Sequence, residues 1–163
     1  MPRKIIIDTD PGQDDAVAIL LALASPELEV LGIVAVAGNV GLHHNANNAL
    51  KIAELAGRTD VPVYAGCARP MRRQLVTAEH VHGDTGLNGP DLPAPKTALQ
   101  AQHGVDYIID TLMAAGPAIA SGLDGSGFSD RCDEVVVESE AAEGQVEERA
   151  ALVALDVRSE DAR

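Results

Sequence analysis

The stretch KIIIDTDPGQDDAVAILLAL, residues 4–23, decides the fold because it places an acidic loop between a strand-like apolar run and an apolar run of helical length. Residues 5–7 form a β-branched apolar run, which is typical of a strand buried on both faces of a parallel sheet. Asp8 ends this run, and a Pro-Gly pair then breaks the chain. Asp14 and Asp15 precede an apolar run of helical length, where a helix N-terminus favours acids. The stretch therefore predicts a strand, an acidic loop and a helix.

The following residues repeat the alternation of strand and helix. Residues 28–37 (LEVLGIVAVA) predict a second buried strand, residues 43–56 a polar helix, residues 61–66 a third short strand and residues 105–115 another helix. Parallel strands joined by right-handed crossovers would explain this order. We therefore expect an α/β fold with an open, mainly parallel sheet and flanking helices. Ligands of such sheets bind beyond the carboxyl ends of the strands.

Two segments differ from this pattern. Residues 67–102 are loop-like, with a Gly-rich centre, HVHGDTGLNGP, and long loops of this kind often carry function. The composition then changes at residue 117. Residues 1–116 contain 13 acids and 8 bases, whereas residues 117–163 contain 12 acids and 4 bases. We expect an α/β portion over 1–116 and a divergent, acidic, poorly ordered tail over 117–163.

Within the tail, two short patterns predict regular structure. DEVVVES, residues 133–139, favours a strand, and QVEERAALVALDV, residues 145–157, favours an amphipathic helix. The abrupt change of composition suggests that the tail is translated out of the ancestral reading frame. The coding DNA would test that hypothesis.

The net charge of −13 excludes some classes of partner. It disfavours nucleic acid and anionic membranes, and favours a small or cationic ligand. Cys67 and Cys132 match no metal or redox spacing, so a reducing compartment is expected. The apolar run near the N-terminus is too short for a signal peptide or a membrane span, and we expect a cytoplasmic protein.

Four carboxylates lie within residues 8–15. Any one of them is explained by a solvated turn or a helix cap. Four together, directly after a buried strand, repel one another unless a hard cation such as Ca²⁺ or Mg²⁺ neutralises them. An EF-hand calcium loop is excluded, because counting from Asp8 puts Gly12 at its fifth position and Ile19 at its twelfth, where acids are needed. The pattern favours a different kind of cation site.

Three motifs in order resemble the inosine-uridine preferring nucleoside hydrolase family. They are KIIIDTDPGQDDAVAILLAL, then VAVAGNVGLHHNANNALKIAELAGRTDVPVYAG (residues 34–66), and then His82-Gly83-x-x-Gly86-Leu87. The resemblance extends from residue 4 to about residue 116. It implies calcium-dependent hydrolysis of the N-glycosidic bond of ribonucleosides to base and ribose.

The resemblance also implies a role for individual residues. Asp10 and Asp15 would ligate Ca²⁺, and Asp10 would also take a proton from the metal-bound water. Asp14 would hold the ribose hydroxyls, Asn39 would lie near the ribose, and His82 would lie near the base. The implied partner is a small nucleoside substrate, and a homo-oligomer is left open. Asp8 is expected to organise the loop rather than to bind the cation.

Two alternatives stay open at this point. The family's later metal and ribose ligands find no match after residue 117, so a truncated, non-catalytic remnant that binds at most a cation or ribose is the first. An Asp-dependent phosphatase is the second, because such enzymes also place Asp-x-Asp after a strand. They require Thr or Val two residues later, where this chain has Gly12.

Overall fold

The structure, a computed structural model, describes residues 2–89, residues 91–114 and the backbone of residues 151–155. The strands in these residues are β1 (Arg3–Thr9), β2 (Leu28–Ala35), β3 (Val63–Ala65) and β4 (Ala151–Leu155). The helices are α1 (Gln13–Ala24), α2 (Leu42–Leu55), α3 (Glu79–His82) and α4 (Gly104–Ala114). The strands and longer helices expected up to residue 115 are confirmed, with boundaries that differ by a few residues.

The strands form one sheet in the order β3-β2-β1-β4. β2 is parallel to β1 and to β3, with Ile7 beside Ile33 and Val34 beside Tyr64. The mainly parallel α/β sheet with flanking helices is therefore confirmed. Because β1 and β2 are parallel neighbours, their carboxyl ends meet at one edge of the sheet, and so do the loops that follow them.

The tail is the region where the expected structure differs. The helix predicted over residues 145–157 is wrong at residues 151–155, whose backbone forms β4 antiparallel to β1. This run, ALVAL, is uniformly apolar, and periodicity cannot distinguish a buried strand from a helix in so short a run. Pairing with β4 also satisfies the backbone groups of β1 that would otherwise form a sheet edge. The DEVVVES segment and the expected disorder of the rest of the tail lie outside the described residues.

The sheet is covered on both faces. Side chains alternate along a strand, so Ile5 and Ile7 pack beneath α1 and α2, while Ile6 and Val34 point to the opposite face, against α4. Burying each such side chain contributes roughly 1.5–3 kcal/mol. On the α4 face the core includes Tyr64, whose ring stacks on Tyr107 with centroids 3.8 Å apart.

Helix α4 uses a narrower face than its sequence indicates. Helical spacing in residues 105–115 predicts Ile108, Ile109 and Leu112 on one face, but Ile109 is 51% exposed. Ile108 and Leu112 pack on the sheet together with Tyr107. Residues four apart lie on the same side of a helix, and the stacked tyrosine pair sets which side that is. Among the described residues, no helix is both long and apolar enough to cross a membrane.

Candidate functional site

The acidic loop, residues 8–15, lies at the carboxyl end of β1 beside the turn that follows β2. The backbone N–H of Val36 donates to the Thr9 carbonyl over 2.9 Å and continues the pairing of the two strands. Just beyond it, the Asn39 backbone N–H donates to Asp10 Oδ2 over 2.7 Å. The Asn39 side chain donates to the Asp10 carbonyl over 3.0 Å. The fold therefore brings Asp10 and Asn39 into direct contact.

Asp15 is the most enclosed acid of the loop, with only 2% of its surface exposed. Its Oδ1 accepts from the Thr9 hydroxyl over 2.9 Å, and its Oδ2 accepts from the Gly12 backbone N–H over 3.0 Å. The Asn39 side-chain amide lies 3.4 Å from the same Oδ2. The bond from Gly12 caps the start of α1. Asp15 therefore belongs to the acidic loop and also caps the N-terminus of α1.

Burial makes these carboxylates costly to ionise. It raises the pKa of Asp10 to about 6; the hydrogen bond from Asn39 opposes the rise, and the charges of Asp15 and Asp14 add to it. Burial also raises the pKa of Asp15, although its bonds from Gly12 and Thr9 offset part of the effect. Such shifts collect at sites where charge is used or neutralised by a ligand.

Asp8 has a different environment. Alternation along β1 directs its side chain toward the α4 face, away from Thr9 and Asp15. Its Oδ1 is buried and has no hydrogen-bond partner among the described residues. Burial raises the pKa of Asp8 to about 6, with the Thr9 backbone N–H opposing the rise.

Asp14 is exposed, unlike its neighbour Asp15. It is near enough to the other two acids for its charge to raise the pKa of both Asp10 and Asp15. An exposed carboxylate of this kind is accessible to a ligand.

His82, at the end of α3, is brought against the acidic loop although it lies 69 residues after Gln13. It is 2% exposed, and its ring packs on Gly12. A Cβ added at Gly12 would lie 2.7 Å from His82 Nδ1 and 3.1 Å from Asn39 Nδ2. A residue larger than glycine would therefore push these side chains away. The structure thus brings His82, Asn39, Asp10, Asp14 and Asp15 together around one loop.

Three residues of the site were missed by sequence reasoning. Thr9 and Asn48 are buried polar residues, and Gln13 is the exposed first residue of α1. Asn48 Nδ2 donates to the Pro11 carbonyl over 3.3 Å and to the Thr85 carbonyl over 2.7 Å. Its position on the core-facing side of an amphipathic helix was a usable signal, since buried amides are nearly always hydrogen-bonded.

A hard cation suits the chemistry of these ligands, which are carboxylate oxygens. Asp10 and Asp15 would hold it, because a cation offsets the charge that burial makes unfavourable. However, no three His, Cys, Asp or Glu side chains within residues 2–89 and 91–114 are grouped closely enough to hold a metal ion. The described residues therefore do not form a complete metal site.

Comparisons with known proteins identify the family of the chain. Residues 5–122 match the family model of the inosine-uridine preferring nucleoside hydrolases. An uncharacterised protein of Schizosaccharomyces pombe is 57% identical over 109 residues, which are 67% of this chain and 35% of that protein. The inosine-uridine preferring nucleoside hydrolase of Leishmania major is 48% identical over 118 residues, 72% of this chain and 38% of that protein.

Solved structures give the same result. A plant nucleoside hydrolase superposes with a TM-score of 0.66 at 40% identity, covering 70% of this chain and 36% of that one. The chain thus spans little more than a third of the length of these relatives. Because the family match covers well over half of its residues, the chain belongs to the inosine-uridine preferring nucleoside hydrolase family.

Proposed function

We propose that the function of this chain is to hydrolyse the N-glycosidic bond of ribonucleosides, releasing base and ribose, with Asp10 as the catalytic base. The observation that carries the proposal is the setting of Asp10. Its carboxylate is fixed by the Asn39 backbone, lies beside the exposed Asp14 and has a pKa of about 6. The matching family model is that of nucleoside hydrolases, which is the reaction class proposed here. The match gives no support to the alternative of an Asp-dependent phosphatase.

The chemistry requires a base of this kind. Cleavage of an N-glycosidic bond passes through a state with positive charge on the ribose, which a water molecule must then attack. In the cation-free loop, burial raises the pKa of Asp10 to about 6, so its carboxylate is mostly ionised at pH 7 and available to accept a proton.

Calcium is the cofactor that we propose for this site, held by Asp10 and Asp15. When bound, it supplies positive charge that offsets the two carboxylates and makes a neighbouring water easier to deprotonate. Asp15 is already oriented by Thr9 and Gly12, so binding would not need to reorganise its side chain. The loop is thus prepared to hold a cation.

The substrate would extend from this loop across the neighbouring turn. We assign Asp14 and Asn39 to the ribose hydroxyls, because one is exposed and the other already donates to the acidic loop. His82 is assigned to the base end, since it packs on Gly12 from the end of α3. We propose a reducing compartment such as the cytoplasm, because Cys67 and Cys132 match no metal or redox spacing.

One observation favours a second function, that of a non-catalytic binder of a cation or ribose. Calcium takes about 6–8 oxygen ligands, and the described residues group fewer than three ionisable ligand side chains into a metal site. Cation binding should therefore be weak. We also expect the 163-residue chain to turn over nucleosides slowly, because the family's later ribose ligands find no match in its sequence. Misplacing a substrate by ~1 Å can cost on the order of 10²-fold in rate.

The two functions are separated by ribose release from inosine and uridine at saturating Ca²⁺. Asp10→Asn should lower any release by roughly 10²–10⁴-fold, since it removes the base. Asp106→Asn, an exposed acid on α4, is the matched control and should retain the activity. Calcium binding without ribose release would establish the binder, and neither binding nor release would refute both proposals.

A further inference from the structure

We propose that Gln13 is a positioning residue that fixes the tautomer and the orientation of the His82 imidazole. The Gln13 side chain lies against the segment that contains His82. Its Nε2 donates to the Asn88 carbonyl over 3.2 Å and to the His82 carbonyl over 3.4 Å. Its Oε1 forms a short hydrogen bond with His82 Nδ1. One amide therefore binds both the backbone and the ring of the histidine segment.

The two carbonyl contacts decide which way the amide is turned. Carbonyl oxygens only accept hydrogen bonds, so the amide nitrogen of Gln13 must face the carbonyls of His82 and Asn88. This leaves Oε1 toward the imidazole, and an amide oxygen can only accept. His82 Nδ1 must then carry a proton. In its neutral form, His82 is consequently the Nδ1–H tautomer, with acceptor character at Nε2.

Packing around the ring supports a single orientation. His82 is 2% exposed, and the missing Cβ of Gly12 provides the space that the Nδ1 edge occupies. The Asn88 backbone N–H also donates to the His82 carbonyl, over 3.2 Å. Both the ring and the backbone of His82 are therefore held, and the ring cannot rotate without breaking the bond to Gln13.

The tautomer decides what His82 can do beside the acidic loop. With the proton on Nδ1, a hydrogen bond at Nε2 is accepted by the neutral ring, and it is donated only after the ring becomes charged. Gln13 therefore determines whether the neutral His82 ring accepts or donates a hydrogen bond at Nε2. The link to nucleosides rests on the proposed function, whereas the tautomer itself does not.

Nitrogen-15 NMR of the imidazole rings in the full chain tests the proposal, since a protonated ring nitrogen and one with a lone pair differ in chemical shift. Loss of signal in His82→Gln assigns the resonances. In alkaline solution, where the ring is neutral, the parent chain should show Nδ1–H for His82. Gln13→Glu keeps an acceptor oxygen but places its second oxygen against the carbonyls of His82 and Asn88, so it should retain Nδ1–H only in part. Gln13→Met, of similar length but without an acceptor oxygen, should move the majority of His82 to Nε2–H.

A second variant breaks the same hydrogen bond from the other side. Gly12→Ala would place a methyl group 2.7 Å from His82 Nδ1, so it should also reduce the Nδ1–H population while Gln13 is intact. Unchanged backbone amide shifts in β1 and β2 verify that the variants are folded. An Nε2–H tautomer in the parent chain, or the same tautomer in Gln13→Met, overturns the proposal. Absence of ribose release would refute the proposed function alone.

Discussion

The acidic loop (residues 8–15) and the long loop (residues 66–103) both follow a strand of the parallel sheet, but they are held in different ways. The acidic loop is bound from within and by its neighbouring turn, through Asp15 and Asn39. The long loop is fastened by side chains of other elements. Gln13 and Asn48 hold residues 82–88, and Glu54 holds residues 96–97. One loop is therefore organised locally, and the other takes its position from α1 and α2.

This difference has an energetic counterpart. The acidic loop contains buried carboxylates whose charge destabilises the folded chain, and its hydrogen bonds offset only part of that cost. The long loop is held by Glu54 of α2, and the hydrogen bonds that Glu54 accepts from Thr97 and Lys96 lower its pKa. Carboxylates whose pKa is raised, as in the acidic loop, are typical of a ligand site. An acid whose charged form is stabilised by hydrogen bonds, as Glu54 is, is typical of a structural contact.

The largest expected effect is a pH dependence that originates in the acidic loop. Raising the pKa of Asp8 or Asp10 from 3.8 to about 6 makes the charged form roughly 3 kcal/mol less favourable in the folded chain. The folded pKa lies above the unfolded one, so the penalty is complete above about pH 6 and absent below about pH 4. With EDTA present, the free energy of unfolding should rise as the pH falls through this window.

Urea unfolding between pH 4 and pH 7 measures this effect, with Asp8→Asn and Asp10→Asn as the comparison. Each variant should lose a large part of the pH slope, because amides do not titrate. Asp60 has a lowered pKa, because Arg58 hydrogen-bonds to its charged form, and therefore contributes in the opposite direction. The same slope in all three proteins would place the titration outside the acidic loop.

The next effect is steric and separates two glycines of one turn. A Cβ at Gly38 would lie 1.9 Å from Asp10 Oδ2, whereas a Cβ at Gly41 meets nothing within 4 Å. Gly38→Ala should displace the Asp10 carboxylate and destabilise the chain by about 1–3 kcal/mol. Gly41→Ala should change the stability by less than about 1 kcal/mol. Chemical denaturation compares the two, and equal effects would show that the Asp10 side chain is not confined as described.

The smallest effect is expected in the long loop. Glu54 Oε1 accepts from the Lys96 N–H over 2.7 Å and from the Thr97 N–H over 2.6 Å, on the protein surface. Glu54→Gln keeps an acceptor oxygen, whereas Glu54→Ala removes it. Hydrogen exchange at these two amides should accelerate strongly in the Ala variant and only modestly in the Gln variant. Faster exchange in β1 would show that the contact supports the whole fold rather than this loop.

Much of this molecule could be predicted from its sequence. Residues 5–7 and 28–35 are apolar runs between turn signals, and the acids follow the first of them directly, so local patterns were sufficient. Contacts such as Gln13 with His82 join residues far apart in the chain, and no local pattern encodes them. The ALVAL strand was missed for a related reason, because its state is decided by pairing with β1 rather than by its own periodicity.

Calorimetric titration of Ca²⁺ is the most direct test of the central claim that the acidic loop holds a cation through Asp10 and Asp15. Asp10→Asn and Asp15→Asn should each weaken binding by at least about tenfold, or roughly 1.4 kcal/mol. Asp8→Asn should have a smaller effect, because alternation directs Asp8 toward the α4 face. Equal losses in all three variants, or no binding by the parent chain, would contradict the account.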